Sequence, residues 1–209
     1  MQEFWEKAFT ELGTSWGFQP AVSAVMAKEI FLKKQFKKIL IPGIGYGRNA
    51  RIFLENGMDV SGIEISAKAI ELARSENNLD ISIIHGSVTD MPFNNDIYDG
   101  IYCYAVLHLL NKPERARMIN ACYNQLEKNG IMIFIVISSL SPAFGQGRKI
   151  SRNRFVHSNG IKVFFYNQDA ILQEFRNAGL VEFFEMEEPV KHISGEDPMK
   201  FVFVKCKKS

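Results

Sequence analysis

The sequence predicts a doubly wound α/β domain: one mostly parallel sheet, helices on both faces, and an antiparallel strand near the edge. Three observations predict it. From residue 38 onward, short apolar runs alternate with helical patterns. A glycine-rich turn follows the first of those runs. The chain then closes on two strand-like runs with no helix between them, an ending that puts one reversed strand in an otherwise parallel sheet.

Each element has its own signal. Two helices, near residues 2–12 and 21–34, precede the alternation and are separated by the turn-prone Gly13-Thr14-Ser15-Trp16-Gly17. Strands follow at 38–41, 58–64, 81–84, 97–104 and 131–137. The run Ile131 to Ile137 is unbroken in its apolarity, as suits a parallel strand covered on both faces. Between the strands, a helical pattern through Ile52, Phe53 and Leu54 stops at Gly57, and Ser66 caps the next helix. Pro113 stands in the first turn of a helix expected to reach Leu126 and stop at Asn129-Gly130. A long connection is expected over 138–160, then a helix capped by Asn167 and ended by Gly179, then strands at 180–187 and 201–205.

Composition narrows the class. A chain of 209 residues, 46% apolar, holds one domain with a real core. A net charge of +2 argues against a surface that is wholly a nucleic-acid footprint. The charged start MQEFWEKAFTEL lacks the apolar stretch of a secretory signal and no run spans a bilayer, so a cytoplasmic protein without a membrane partner is expected. Cys103, Cys122 and Cys206 form no CxxC pair, so neither a disulfide framework nor a metal site is expected.

The sharpest motif is Ile39-Leu40-Ile41-Pro42-Gly43-Ile44-Gly45-Tyr46-Gly47-Arg48-Asn49-Ala50, between the first strand and the helix after it. In an open α/β sheet, ligands bind beyond the carboxyl ends of the strands, where this loop lies. Its glycines let a ligand approach the backbone closely. Glu64 ends the second strand, 21 residues after Gly43, where an acid accepts hydroxyl protons from a ribose. A dinucleotide fold wants GxGxxG, so that pyrophosphate meets a helix N-terminus. Here the pattern is GxGxG, with Arg48 in the place of the third glycine. A nucleoside without phosphates fits better, and an NAD(P)-binding oxidoreductase stays open as the alternative.

From about Lys37 to its end the chain resembles the class I S-adenosylmethionine-dependent methyltransferases. Gly43, Gly45 and Gly47 match the family's first motif, and Val60-Ser61-Gly62-Ile63-Glu64-Ile65-Ser66 the second. His85-Gly86-Ser87-Val88-Thr89-Asp90-Met91-Pro92-Phe93 matches the third, and Tyr98-Asp99-Gly100-Ile101-Tyr102 the fourth-strand motif. Leu126-Glu127-Lys128-Asn129-Gly130 resembles the turn before the fifth strand. The resemblance implies a Rossmann-like sheet of seven strands in a single domain over 1–209. Within it, 1–36 form a helical cap, 37–137 the cofactor-binding half, and 138–209 a substrate-side loop with the closing strands. It implies S-adenosyl-L-methionine as cofactor, S-adenosyl-L-homocysteine as product, and contacts from Gly43, Gly45, Gly47, Glu64, Ile65, Ser87, Val88 and Tyr102.

Two positions depart from the pattern. Ser87 stands where the family has Asp and accepts a hydrogen bond without charge. Ile41 stands where the family has an acid for the methionine ammonium, which leaves that group to backbone carbonyls and keeps a non-catalytic cofactor-binding module open. The Ile-Pro-Gly-x-Gly form resembles thiopurine-type and tellurite-resistance-type methyltransferases, which points to a small-molecule acceptor and away from nucleic acid.

Methyl transfer asks mainly for alignment of an acceptor lone pair, which supplies about 7–11 kcal/mol. A general base serves only a protonated acceptor, and Tyr104 and His108 are the candidates. His85, His157 and His192 carry no pattern. Trp5, Trp16 and Phe18 either pack the helical cap or wall an acceptor pocket. The 138–160 connection is either a solvated basic loop or a lid in which Gly145 and Gly147 hinge, Arg148, Lys149, Arg152 and Arg154 meet an anionic acceptor, and Phe144 and Phe155 turn inward.

Overall fold

The computed structural model describes residues 1–188 and 198–209, so His192 lies outside the described residues. In chain order the elements are α1 (Gln2–Leu12), α2 (Val22–Lys33), β1 (Lys38–Pro42), α3 (Arg51–Leu54), β2 (Asp59–Glu64), α4 (Ala67–Ser75), β3 (Ser82–His85) and β4 (Tyr98–Tyr104). Then come α5 (Lys112–Asn124), β5 (Leu126–Ile137), β6 (Arg148–Ser151), β7 (Arg154–Val156), β8 (Lys162–Phe164), α6 (Gln168–Phe175), β9 (Leu180–Glu188) and β10 (Met199–Lys207).

Seven strands form one sheet in the order β3-β2-β1-β4-β5-β10-β9. The strands from β3 to β5 pair in parallel, whereas β10 runs antiparallel to both β5 and β9. The strand alternation explains the two layers. Met132, Phe134 and Val136 face a core shared with Met118, Ile119 and Cys122 of α5 and Ile171 and Phe175 of α6. Ile131, Ile133, Ile135 and Ile137 face the other core, with Ala24, Ala27 and Phe31 of α2 and Phe53 of α3. Each such side chain contributes roughly 1.5–3 kcal/mol by leaving water, which makes β5 the centre of the fold. Cys103, Cys122 and Cys206 are buried free thiols in the first of these cores.

Two expectations about the connections are corrected. The helix expected to reach Leu126 ends at Asn124. Leu126 instead pairs with Tyr98 and opens β5, and the register then shifts before Ile131 meets Gly100. Asn129 takes φ +65° in that irregular stretch, which a helix cannot accommodate. The helix start is as expected: the Asn111 side chain accepts from the Glu114 amide at 3.1 Å, and the Glu114 carboxylate accepts from the Asn111 amide at 2.7 Å.

The 138–160 stretch is not a bare loop. β6, β7 and β8 make a three-stranded antiparallel sheet within and just beyond it. Phe144, Phe155 and Phe165 pack edge to face there, with ring centroids 5.3–5.9 Å apart; Phe155 and Phe165 are buried, and the exposed Phe144 covers them. A Cβ on Gly147 would lie 2.2 Å from the Val156 carbonyl oxygen, so that glycine serves close strand approach and not a hinge. α1 touches the second core through Trp5 and forms a small cluster of its own. It packs Phe9 and Trp5 against Tyr46, Ala69 and Leu72, and so lies over the glycine loop.

Candidate active site

A cavity of about 440 Å³ opens beyond the carboxyl ends of β1, β2 and β4. Gly43, Gly45 and Gly47 bend the loop after β1 with φ of +71°, +58° and +79°. A Cβ on Gly43 would meet Val106 Cγ2 at 2.2 Å, so only glycine lets the loop pass beneath the segment after β4. The amides of Gly43 and Ile44 donate to the Ile63 carbonyl at 2.8 and 3.1 Å, which ties the loop to β2.

Glu64 completes that tie. It is 5% exposed and lines the cavity. Its Oε2 accepts from the Gly45 amide at 2.7 Å, and its Oε1 from the Ile65 and Ser66 amides at 2.8 and 3.0 Å. A carboxylate offers about four acceptor positions, so one on Oε2 stays open toward the cavity. Burial raises the Glu64 pKa above its usual value, and the three amides pull it back only in part.

The structure brings most of the expected residues together. Gly43, Gly45, Glu64, Ile65, Ser87 and Val88 line the cavity, as do Ile41, Arg48 and Asn49. Trp5 and Trp16 line it too, whereas Phe18 instead packs edge-on against Tyr46. Gly47 does not reach it: a Cβ there would point at Leu79 and Asn77. Tyr102 does not reach it either. Its ring is fully buried beside Phe53, and its hydroxyl lies 2.9 Å from the Ser23 Oγ at the start of α2. Tyr102→Phe therefore costs about 0.5–1.5 kcal/mol of stability and leaves nucleoside affinity unchanged. Denaturant melts and calorimetry on the variant check both halves.

Two expected bases have other chemistry. His108 is buried, its Nδ1 accepts from the Ile137 amide at 3.1 Å, and burial lowers its pKa to about 3. A ring whose Nδ1 accepts carries its hydrogen on Nε2, so His108 offers the cavity a donor and not a base. Burial, then the Glu188 charge, raises the Tyr104 hydroxyl well above its usual pKa, so it too stays protonated. The cations of the 138–160 stretch are elsewhere. Arg148 and Lys149 on β6 and Arg152 are exposed, Arg154 is half-buried near Arg115 and Glu114, and none of the four lines the cavity.

Sequence reasoning missed Glu188, Met199 and Phe201, which line the far end of the cavity. They belong to β9 and β10, whose antiparallel pairing the sequence predicts but whose ends carry no motif that marks them as cavity lining.

The donor set suits one cofactor. An open carboxylate oxygen at the end of β2, a glycine loop and the Arg48 guanidinium share one cavity with Ser87 and Val88, so ribose hydroxyls, a carboxylate and a base each find a matching group. The Methyltransferase domain family matches residues 40–134, the segment that contributes all of these groups. Over those residues the chain matches a methyltransferase family, and its sheet has the fold of S-adenosylmethionine-dependent methyltransferases. The chain is 28% identical over 157 residues, 68% of its length, to a tRNA N(3)-cytidine methyltransferase of Danio rerio. The chain spans 44% of that relative's length. It shares its fold with a 1,6-didemethyltoxoflavin-N1-methyltransferase of Burkholderia thailandensis, solved with S-adenosylhomocysteine (TM-score 0.72, 15% identity, 100% of this chain and 87% of that one). It also shares the fold of TehB from Haemophilus influenzae (TM-score 0.64, 18% identity, 89% of this chain and 61% of that one). The tRNA relative removes the ground for setting nucleic acid aside as an acceptor. Among the described residues, no helix is long and apolar enough to cross a membrane.

Proposed function

We propose that this domain transfers a methyl group from S-adenosylmethionine to a small planar acceptor held inside the cavity. One observation carries the reading: the nucleoside end at Glu64 and an aromatic end at Tyr104 and Phe201 are parts of a single cavity roofed by Trp5, Phe9 and Trp16. Glu64 accepts the ribose hydroxyls, Ile65, Ser87 and Val88 flank the base, and Arg48 meets the methionine carboxylate. When bound, the cofactor supplies a methyl group on a sulfonium leaving group. The α1 roof excludes water, and Tyr104 and His108 donate hydrogen bonds that orient the acceptor. Alignment of this kind contributes about 7–11 kcal/mol to lowering the barrier.

Calorimetry with S-adenosylhomocysteine, NAD and NADP is the first test. Binding of the homocysteine nucleoside alone is expected, and binding of NAD alone would make the protein an oxidoreductase. Labelled S-adenosylmethionine then reports transfer to a panel of small nitrogen heterocycles and, separately, to bulk tRNA. A second reading, methylation of tRNA, is favoured by the 28% identical relative and by the exposed cations Arg148, Lys149 and Arg152 of the small sheet. Label in tRNA and none in the small heterocycles selects it.

A further inference from the structure

Glu188 is the last residue of β9 and is 3% exposed, yet it lines the cavity. Its Oε1 accepts from the Ser23 amide at the start of α2. Its Oε2 is buried and has no hydrogen-bond partner among the described residues. The cation in reach does not neutralise it: Arg48 donates to the Trp16 carbonyl at 3.1 Å and lies over the Tyr104 ring at 5.5 Å. Its other neighbours in the cavity are the Tyr104 hydroxyl, Met199 and Phe201. An unpaired buried carboxylate oxygen is costly, and such a group is kept where a ligand completes it. Glu64 already serves the nucleoside end, so Glu188 is left for the acceptor.

We propose that Glu188 selects acceptors that present a planar N–H donor next to the methylated atom and carry positive charge during transfer. This rests on the methyltransferase reading above. As the acceptor nitrogen's lone pair forms the new N–C bond, the S–C bond breaks and its electron pair stays on sulfur as a thioether. The positive charge thus passes from sulfonium to the acceptor, which either keeps it or releases its N–H proton to water. Glu188 Oε2 receives the N–H and offsets that charge, while Tyr104 and Phe201 supply flat walls for the ring.

Benzamidine, a planar amidinium, and benzamide, its neutral counterpart, are the probes. Calorimetry is run on the protein with and without S-adenosylhomocysteine. Benzamidine is expected to bind at least about tenfold more tightly than benzamide, and Glu188→Gln to remove that preference while S-adenosylhomocysteine affinity changes less than about twofold. Glutamine keeps an oxygen for the Ser23 amide, so the fold is retained. Equal affinity for the two probes on the unmutated protein overturns the proposal even without the variant. A parallel loss of S-adenosylhomocysteine affinity in Glu188→Gln also overturns it, because the carboxylate then serves the methionine ammonium. Failure of the unmutated protein to bind S-adenosylhomocysteine defeats the methyltransferase reading instead, and the probe preference is still read without it.

Discussion

Replacing Glu64 by alanine weakens S-adenosylhomocysteine binding by about 10- to 150-fold, the equivalent of roughly 1.5–3 kcal/mol for a charge-assisted hydrogen bond. The loss has two parts. The ribose hydroxyls lose their acceptor, and the amides of Gly45, Ile65 and Ser66 lose theirs, so the glycine loop is less firmly set before the ligand arrives. The far-ultraviolet spectrum should be unchanged, because β2 is held by β1 and β3 along its length. The pH dependence follows from the raised Glu64 pKa. The stability that this group contributes is present below its unfolded value of about 4.5 and is lost as pH rises through the higher folded value. Binding runs the other way, since hydroxyl donors need the ionised carboxylate. Affinity is therefore expected to fall as pH drops through the raised Glu64 pKa and to lose that slope in Glu64→Ala. Calorimetry across that range decides it, and an alanine variant with unchanged affinity and slope shows that the carboxylate only braces the loop.

The largest stability effect is expected at Glu174. Arg115 of α5 is buried, and its Nε and Nη2 reach the two Glu174 oxygens of α6 at 2.6–3.1 Å. Its Nη1 donates to the Leu110 carbonyl at 3.0 Å, and the guanidinium lies 3.9 Å from the centre of the Phe164 ring of β8. Tyr166 donates its hydroxyl to Glu174 at 2.8 Å. The cluster thus joins both helices of one face to the small sheet and to the cavity wall at Leu110. Glu174→Ala leaves the guanidinium buried and unpaired, at a cost of about 3–5 kcal/mol, and lowers the melting temperature by on the order of 10 °C. Replacing Arg115 by Met, Glu174 by Leu and Tyr166 by Phe together should cost much less, because no charge or hydroxyl stays stranded. A Glu174→Ala variant that melts within about 2 °C of the unmutated protein shows that water reaches the guanidinium.

Signals that act over a few residues were legible in advance. The unbroken apolar run Ile131–Ile137, the caps at Ser66 and Asn167, the glycines at 43, 45 and 47, and the acid at 64 are each decided by local backbone geometry and by short spacings along the chain. By itself the sequence therefore determined the sheet and the cofactor class, and it put Glu64 beside the glycine loop.

Distance across the fold decided the rest. Tyr102 and Tyr104 share one face of β4, and only the packing of α2 puts the first under Ser23 and leaves the second at the cavity. His108 looked like a base until the Ile137 amide, 29 positions away, took its Nδ1. The strands of 148–164 gave no apolar alternation, because their core is three aromatic rings that meet only when the hairpin forms. Glu188 is one of many acids in the chain, and what makes it special is the contact with Ser23, 165 positions earlier. Burial without a partner is a property of the packed molecule, since whether a carboxylate keeps its water depends on what the rest of the chain brings beside it.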